Sequence, residues 1–384
     1  MQVKKAALEQ HIAVFGESGS GKTVLLSSFY GAAQEHRFLK ESLFNVVADD
    51  IGLGARLHQN YLGMRDSARV PAANKFSATT YAFSVKLKES ARAKAGKSSQ
   101  FDALRLVWHD YPGEWFEQDV SGEEEARRRI DTFRSLLGSD VALMLVDGQK
   151  LLDNEGEEEL YLKSLFGNFR NGLLALKDDL LENGEPLVEF PRIWVLALSK
   201  ADLLPEMSVI NFRDLLIDKA AGEIHDLRQA IAGFVKVPDA LSVGEDFVLL
   251  SSAKFEPGKI EVDKRVGIDL VLPLAAILPF ERHVKWTQRQ QLPAKVADNL
   301  LSGAREFAAA LVATTVKKPG PVGIILAMIG PDVIAEAAKM AQDGLRKLNA
   351  EALAKHNYVT AVLTRFRMDL NEGEEEQVLL RSLK

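Results

Sequence analysis

The sequence predicts an α/β fold: a three-layer sandwich on a mostly parallel sheet with one antiparallel edge strand, followed by a C-terminal helical extension. Three observations carry that prediction. Short apolar runs at residues 11–15 (HIAVF), 141–146 (VALMLV), 193–198 (IWVLAL) and 247–250 (FVLL) have strand length without alternation. Strands covered by helices on both faces read this way. Each run stops at a turn or small residue (Gly16, Asp147-Gly148, Ser199 and Ser251), and helical stretches lie between them. Strand, turn, helix in repetition is the order of a parallel α/β unit.

The first run leads into a glycine-rich turn, and residues 24–30 open a helix behind it. A second helix is read near residues 50–66, inside a long insertion at about 36–78 that precedes the next strand. Residues 81–87 and 102–108 alternate moderately, with a loop-like stretch at 91–100 between them, and read as a hairpin at the sheet edge. Residues 123–137 read as a helix, with Ser121 and Glu124 forming a capping box. In it Glu123, Glu124 and Glu125 precede Arg127, Arg128 and Arg129, an order that suits the helix dipole and reads as a solvated face. Beyond residue 288 the composition shifts to alanine and leucine. Val296, Leu300, Ala304, Phe307 and Leu311 recur at helical spacing, as do Ile334, Ala338, Ala341, Leu345 and Leu348, with Lys317-Lys318-Pro319-Gly320-Pro321 between the two sets. Residues 1–288 are therefore expected to form the main domain and 289–384 a helical extension.

The chain has 384 residues, of which 47% are hydrophobic and 27% charged, enough to bury a sizeable core. A net charge of −6 gives no global attraction to nucleic acid, and no nucleic-acid motif is present. Cysteine is absent, which excludes disulfides, thiolate nucleophiles and Cys-ligated zinc. No signal-peptide core is seen, and the longest uncharged apolar stretch, residues 319–331, is too short to span a bilayer. A soluble cytoplasmic protein is the expectation. Within that stretch, residues 322–329 (VGIILAMI) must be covered by something: the domain, a partner or second copy, or shallow contact with a membrane.

Residues 16–23 (GESGSGKT) fit the phosphate-loop pattern between a strand and a helix. Gly16, Glu17, Ser18, Gly19, Ser20, Gly21, Lys22, Thr23 and Val24 place backbone N–H groups around phosphate oxygens, and the helix start adds a favourable dipole. Lys22 reaches the outer phosphates, and the Thr23 hydroxyl is a magnesium ligand. Three further motifs follow in order. Asp110-Tyr111-Pro112-Gly113 ends the second hairpin strand, where the carboxylate can reach Mg2+ through water and the glycine N–H a γ-phosphate. Ser199-Lys200-Ala201-Asp202 follows a strand end: the Asp202 carboxylate can accept two N–H bonds from the Watson–Crick edge of guanine while the Lys200 stem covers the ring. Adenine offers no such donor pair. Ser251-Ser252-Ala253-Lys254 ends the next strand, where Ser252, Ala253 and Lys254 can present a backbone N–H to the guanine carbonyl.

With these four motifs the chain, over roughly residues 11–285, resembles the Ras-like, translation-factor-related P-loop GTPases, a P-loop NTPase fold. The run Asp110-Tyr111-Pro112-Gly113-Glu114-Trp115 further resembles bacterial stress-induced GTPases of the YcjX type. The resemblance implies a switch threonine that ligates magnesium, for which Thr79 and Thr80 are the candidates, and a catalytic set of Lys22, Thr79 or Thr80, Gly113 and Glu114. It departs from the pattern in four places. Ser199 stands where the family has Asn, Ser18 where many relatives have glycine, and Glu114 where Ras-like enzymes orient water with Gln; the fourth is the insertion before Thr79. That insertion is either a cap packed on the domain or a nucleotide lid or partner surface.

These readings converge on a GTP- and GDP-binding, magnesium-dependent molecular switch that hydrolyses GTP slowly. A protein effector, or self-association through the switches or the C-terminal helices, would read its state. A non-hydrolysing scaffold and an ATPase on the same loop are the alternatives.

Overall fold

Alternation of buried side chains builds the architecture from its central strands outward. The structure is a computed structural model that describes residues 8–72, 79–88, 104–110, 113, 122–181, 184, 193–235, 241–289, 342–354 and 358–382. Strands β1 (Leu8–Phe15), β4 (Leu104–Asp110), β5 (Val141–Asp147), β6 (Ile193–Ser199) and β7 (Ser242–Leu250) run parallel. Among the described residues they belong to one eight-stranded sheet with β2 (Phe44–Ala48), β3 (Thr79–Leu87) and β10 (Leu379–Leu380), in the order β10-β7-β6-β5-β1-β4-β3-β2. β8 (Lys254–Glu256) and β9 (Lys259–Glu261) pair apart from it. β5 and β6 are buried at every position, because helices cover both faces.

One face carries Ile12, Val14, Leu143, Leu145, Val195 and Val248 against α1 (Lys22–Ala32) and a later helix, residues 271–289. The other carries Phe15, Met144, Trp194, Leu196 and Phe247 against helices 123–137, 158–175 and 209–232. The three layers follow from this period-two division of each strand. Because the five strands are parallel, their carboxyl ends all open on one edge, where a doubly wound fold binds its ligand.

Several local readings change. The hairpin forms as β3 (Thr79–Leu87) and β4, with Phe83 opposite Leu106, yet it does not mark the edge of the sheet. β2 (Phe44–Ala48) lies outside β3 and pairs with it antiparallel, and β10 (Leu379–Leu380) pairs antiparallel with β7 at the far edge. A five-residue strand inside an insertion and a two-residue strand near the C-terminus carry too little pattern to be read. Within the insertion α2 (His36–Glu41) leads to β2, and α3 (Ile51–Ser67) is capped by Asp50, whose Oδ1 accepts from Leu53 N at 2.9 Å. Leu57 joins the main core, and the α3 side chain Tyr61 lies so close to Gly31 that a methyl group there would overlap its ring. The described part of the insertion is packed on the domain.

The helix at 123–137 forms as read, but its charged run is not wholly solvated. Arg129 is buried and pairs with Glu125 at 2.5 Å. The C-terminal helix Tyr358–Glu375 contributes Leu363, Phe366 and Leu370 to the main core, and Phe366 meets Phe44 of β2 edge-on at 5.5 Å. Ser121, the loop at 91–100, the first extension helix (296–311) and the apolar stretch 322–329 lie outside the described residues. No helix among those described is long and apolar enough to cross a membrane.

Candidate functional site

Gly16 begins a turn directly off β1, and the chain then passes through left-handed conformations at Gly19 (φ 81°) and Gly21 (φ 89°) before α1 starts at Lys22. A side chain would be strained at both glycines, and these reversals aim the intervening N–H groups inward. Lys22 is buried, and its Nζ donates to the carbonyls of Gly16 (2.7 Å) and Glu17 (2.9 Å). The turn is thus closed from within, with Ser20 N donating back to Glu17 O at 3.2 Å. Thr23 follows in the first turn of α1, half-buried, and Val24 packs toward Tyr61 and Ala253.

Asp110 is the last residue of β4, buried beside Val14 of β1 and opposite Thr79 of β3. Alternation puts Thr79 on the face of Asp110, Tyr81 and Trp108, the face α1 covers. Burial, followed by the Asp110 charge, pushes the Tyr81 phenol up. Thr80 is turned to the opposite face, where its Oγ1 meets His109 Nδ1 at 3.3 Å. There His109 is held at 3.1 Å from His11, and burial with that neighbour pushes its pKa down to about 4. Of the two threonine candidates, the structure brings Thr79 and not Thr80 to Asp110's side. Gly113 lies against the phosphate turn: a Cβ there would stand 2.2 Å from Ser18 N and 2.4 Å from Glu17 C. Tyr111, Pro112, Glu114 and Trp115 lie outside the described residues.

Ser199 ends β6 level with Asp147 of β5 and Leu250 of β7. Its Oγ donates to Val146 O at 3.3 Å, so this hydroxyl braces a neighbouring strand. Lys200 adopts φ 54°, uncommon for a residue with a side chain, and its Nζ pairs with Asp147 Oδ2 at 2.7 Å. Asp202 is fixed on both oxygens: Oδ1 accepts from Ser251 Oγ at 2.6 Å and Oδ2 from Phe255 N at 3.3 Å. Ser252 O accepts from Ser28 Oγ of α1, and Ala253 is fully buried beneath Tyr61 and Met64 of the insertion. Lys254 is exposed and pairs with Glu256.

Three residues outside the sequence-derived set join this edge. Ser251, and not its neighbour Ser252, holds the Asp202 carboxylate. Asp147 caps the short helix α5 (Gly148–Asp153; residues 123–137 being α4) through Oδ1 and Gln149 N while its Oδ2 takes Lys200. Lys150 of α5 reaches Glu17 Oε2 at 2.6 Å. An Asp-Gly at a strand end was the visible signal for Asp147; nothing in the spacing of Lys150 linked it to Glu17.

The family described as Double-GTPase 2 matches residues 10–220 of the chain. The solved structure of a protein described as nucleolar GTP-binding protein 1 from Plasmodium falciparum is similar at 12% identity and a TM-score of 0.31, covering 74% of this chain and 94% of that one. No curated protein sequence matches the chain.

Proposed function

The chain belongs to the Double-GTPase 2 family and is a P-loop GTPase that binds GTP; we propose that it hydrolyses GTP slowly with magnesium and acts as a nucleotide-dependent switch. The observation that carries the base assignment is the Asp202 carboxylate, oriented by Ser251 Oγ and Phe255 N at the sheet edge that also holds the phosphate turn. A carboxylate fixed this way accepts from the N1 and N2 donors of guanine, and the Lys200 stem lies along the ring. Lys22 turns its ammonium from the Gly16 and Glu17 carbonyls to the outer phosphates, and Gly113 offers its N–H to the γ-phosphate.

Thr23, Thr79 and Asp110 supply two hydroxyls and a carboxylate, hard oxygen donors that suit Mg2+ with water and phosphate oxygens completing its shell. Among the described residues no group of three or more His, Cys, Asp or Glu is placed to hold a metal ion. Bound there, magnesium would neutralise charge on the β- and γ-phosphate oxygens. Turnover is slow because no arginine stands just before Thr79 and Glu114, not a glutamine, follows Gly113. A carboxylate accepts but cannot donate, and it repels the γ-phosphate. The run at residues 110–115 (DYPGEW) supports a narrower kinship with YcjX-type GTPases.

Calorimetry with GTP, GDP and ATP tests the assignment. Guanine nucleotides should bind at least about tenfold better than ATP, or about 1.4 kcal/mol. Lys22→Ala should lose tight triphosphate binding with the fold intact. Equal affinity for ATP and GTP would reject the base reading, and parental hydrolysis by Lys22→Ala would reject the phosphate-loop reading.

A further inference from the structure

Glu17 is an acidic residue in a turn whose backbone gathers a polyanion. Its carboxylate is largely buried, 12% exposed, and its Oε2 meets Lys150 Nζ at 2.6 Å. A negative charge on the cradle itself opposes phosphate binding unless it is compensated. Lys150 is the compensating charge, and it is held on three sides. Its ammonium lies 5.8 Å from the centre of the Tyr161 ring, whose hydroxyl accepts from Asp147 N at 2.9 Å. It rides on α5, a helix capped by Asp147, and the same Asp147 binds Lys200 of the base loop. On its other flank the Glu17–Ser18 peptide is pressed by Gly113. One short helix therefore links the glycine nearest the γ-phosphate position to the residue that covers the base.

We propose that Lys150 is a positioning residue for the nucleoside triphosphate, neutralising Glu17 and tying the phosphate turn to the base loop through α5, so that this pair sets the preference between tri- and diphosphate. The inference rests on the guanine-nucleotide reading of the site and adds to it a residue that never touches the ligand. The extra charge of a triphosphate makes it the more sensitive of the two ligands. With Lys150 removed, the uncompensated Glu17 carboxylate weakens both and weakens GTP more. With Glu17 neutralised, the surplus ammonium acts in the opposite sense.

The experiment measures GTP and GDP affinity at low and high salt for the parent, Lys150→Met, Glu17→Gln and the double variant, with melting curves for each. Lys150→Met should lose on the order of tenfold in GTP affinity and less in GDP affinity, the scale of one unit charge near a polyanion at the effective dielectric of a protein surface. Glu17→Gln should hold or raise the GTP to GDP affinity ratio, and the double variant should return toward the parent. Both single effects should shrink with salt. A merely structural ion pair would give the two single variants losses of the same sign, equal for GTP and GDP, and that result overturns the proposal. So does a parent-like GTP to GDP ratio in folded Lys150→Met. A parent that fails to bind guanine nucleotide would instead reject the function itself.

Discussion

Gly113→Ala tests the contact on which the switch reading depends. The added methyl would stand 2.2 Å from Ser18 N and 2.6 Å from Ser18 Cα, both backbone atoms, whereas real Cβ atoms essentially never come within 3.0 Å. The phosphate turn is braced by Ser20 N on Glu17 O at 3.2 Å and by the Glu17–Lys150 pair at 2.6 Å, so the Gly113 segment is the side that yields. It must retreat by about 1 Å, at a stability cost of about 1–3 kcal/mol. A misplacement of that size at a reacting centre lowers rate on the order of 100-fold. Single-turnover hydrolysis of GTP, alongside GDP affinity, reads the effect. The expected outcome is a loss of roughly 100-fold in the hydrolysis step with GDP affinity within about threefold, because GDP lacks the phosphate that the Gly113 N–H would meet. A variant that hydrolyses GTP within about threefold of the parent would refute the close packing of Gly113 on the turn.

Asp202→Asn should move preference from guanine toward xanthine nucleotides by about 100-fold, since the amide presents one donor and one acceptor where the carboxylate presents two acceptors; competition binding with XDP and GDP decides it, and an unchanged preference sinks the base assignment. In the C-terminal helix, burial pushes the Asp369 carboxyl up to about 6 against the pull of Arg365. The folded state then holds this proton more tightly than the unfolded chain, so stability falls as pH rises from about 4 to about 6. Asp369→Asn should remove that slope and stabilise the protein near neutral pH by up to about 3 kcal/mol, read by urea unfolding across that range; a parental pH profile would count against it. Leu370→Ala, at a fully buried position of the main core, should cost about 2–5 kcal/mol in the same assay, and a loss below about 1 kcal/mol would mean the C-terminal helix is not integral to the domain.

The phosphate turn was legible because its chemistry is local: glycines, Lys22 and Thr23 lie within eight residues, and the turn's geometry is set by backbone freedom at those positions. The apolar runs were equally plain, since burial on both faces leaves an unbroken signature in β5 and β6. Asp202 was legible by its offset from Lys200, but its orientation was not, because Ser251 and Phe255 reach it only after the parallel crossover through helix 209–232 brings β6 and β7 together. Thr79 and Thr80 are indistinguishable as letters. Register against Asp110 and the alternation of β3 separate them, a decision that belongs to the sheet. The same holds for Lys150, whose partner lies 133 residues away in sequence, and for β2 and β10, which exist only because β3 and β7 offer them an edge. Sequence alone names the groups proposed to meet phosphate and base; tertiary structure selects which of them share an edge and which charges and hydroxyls hold them, because hydrogen bonds and ion pairs over such separations form only when packing has already brought the strand ends together.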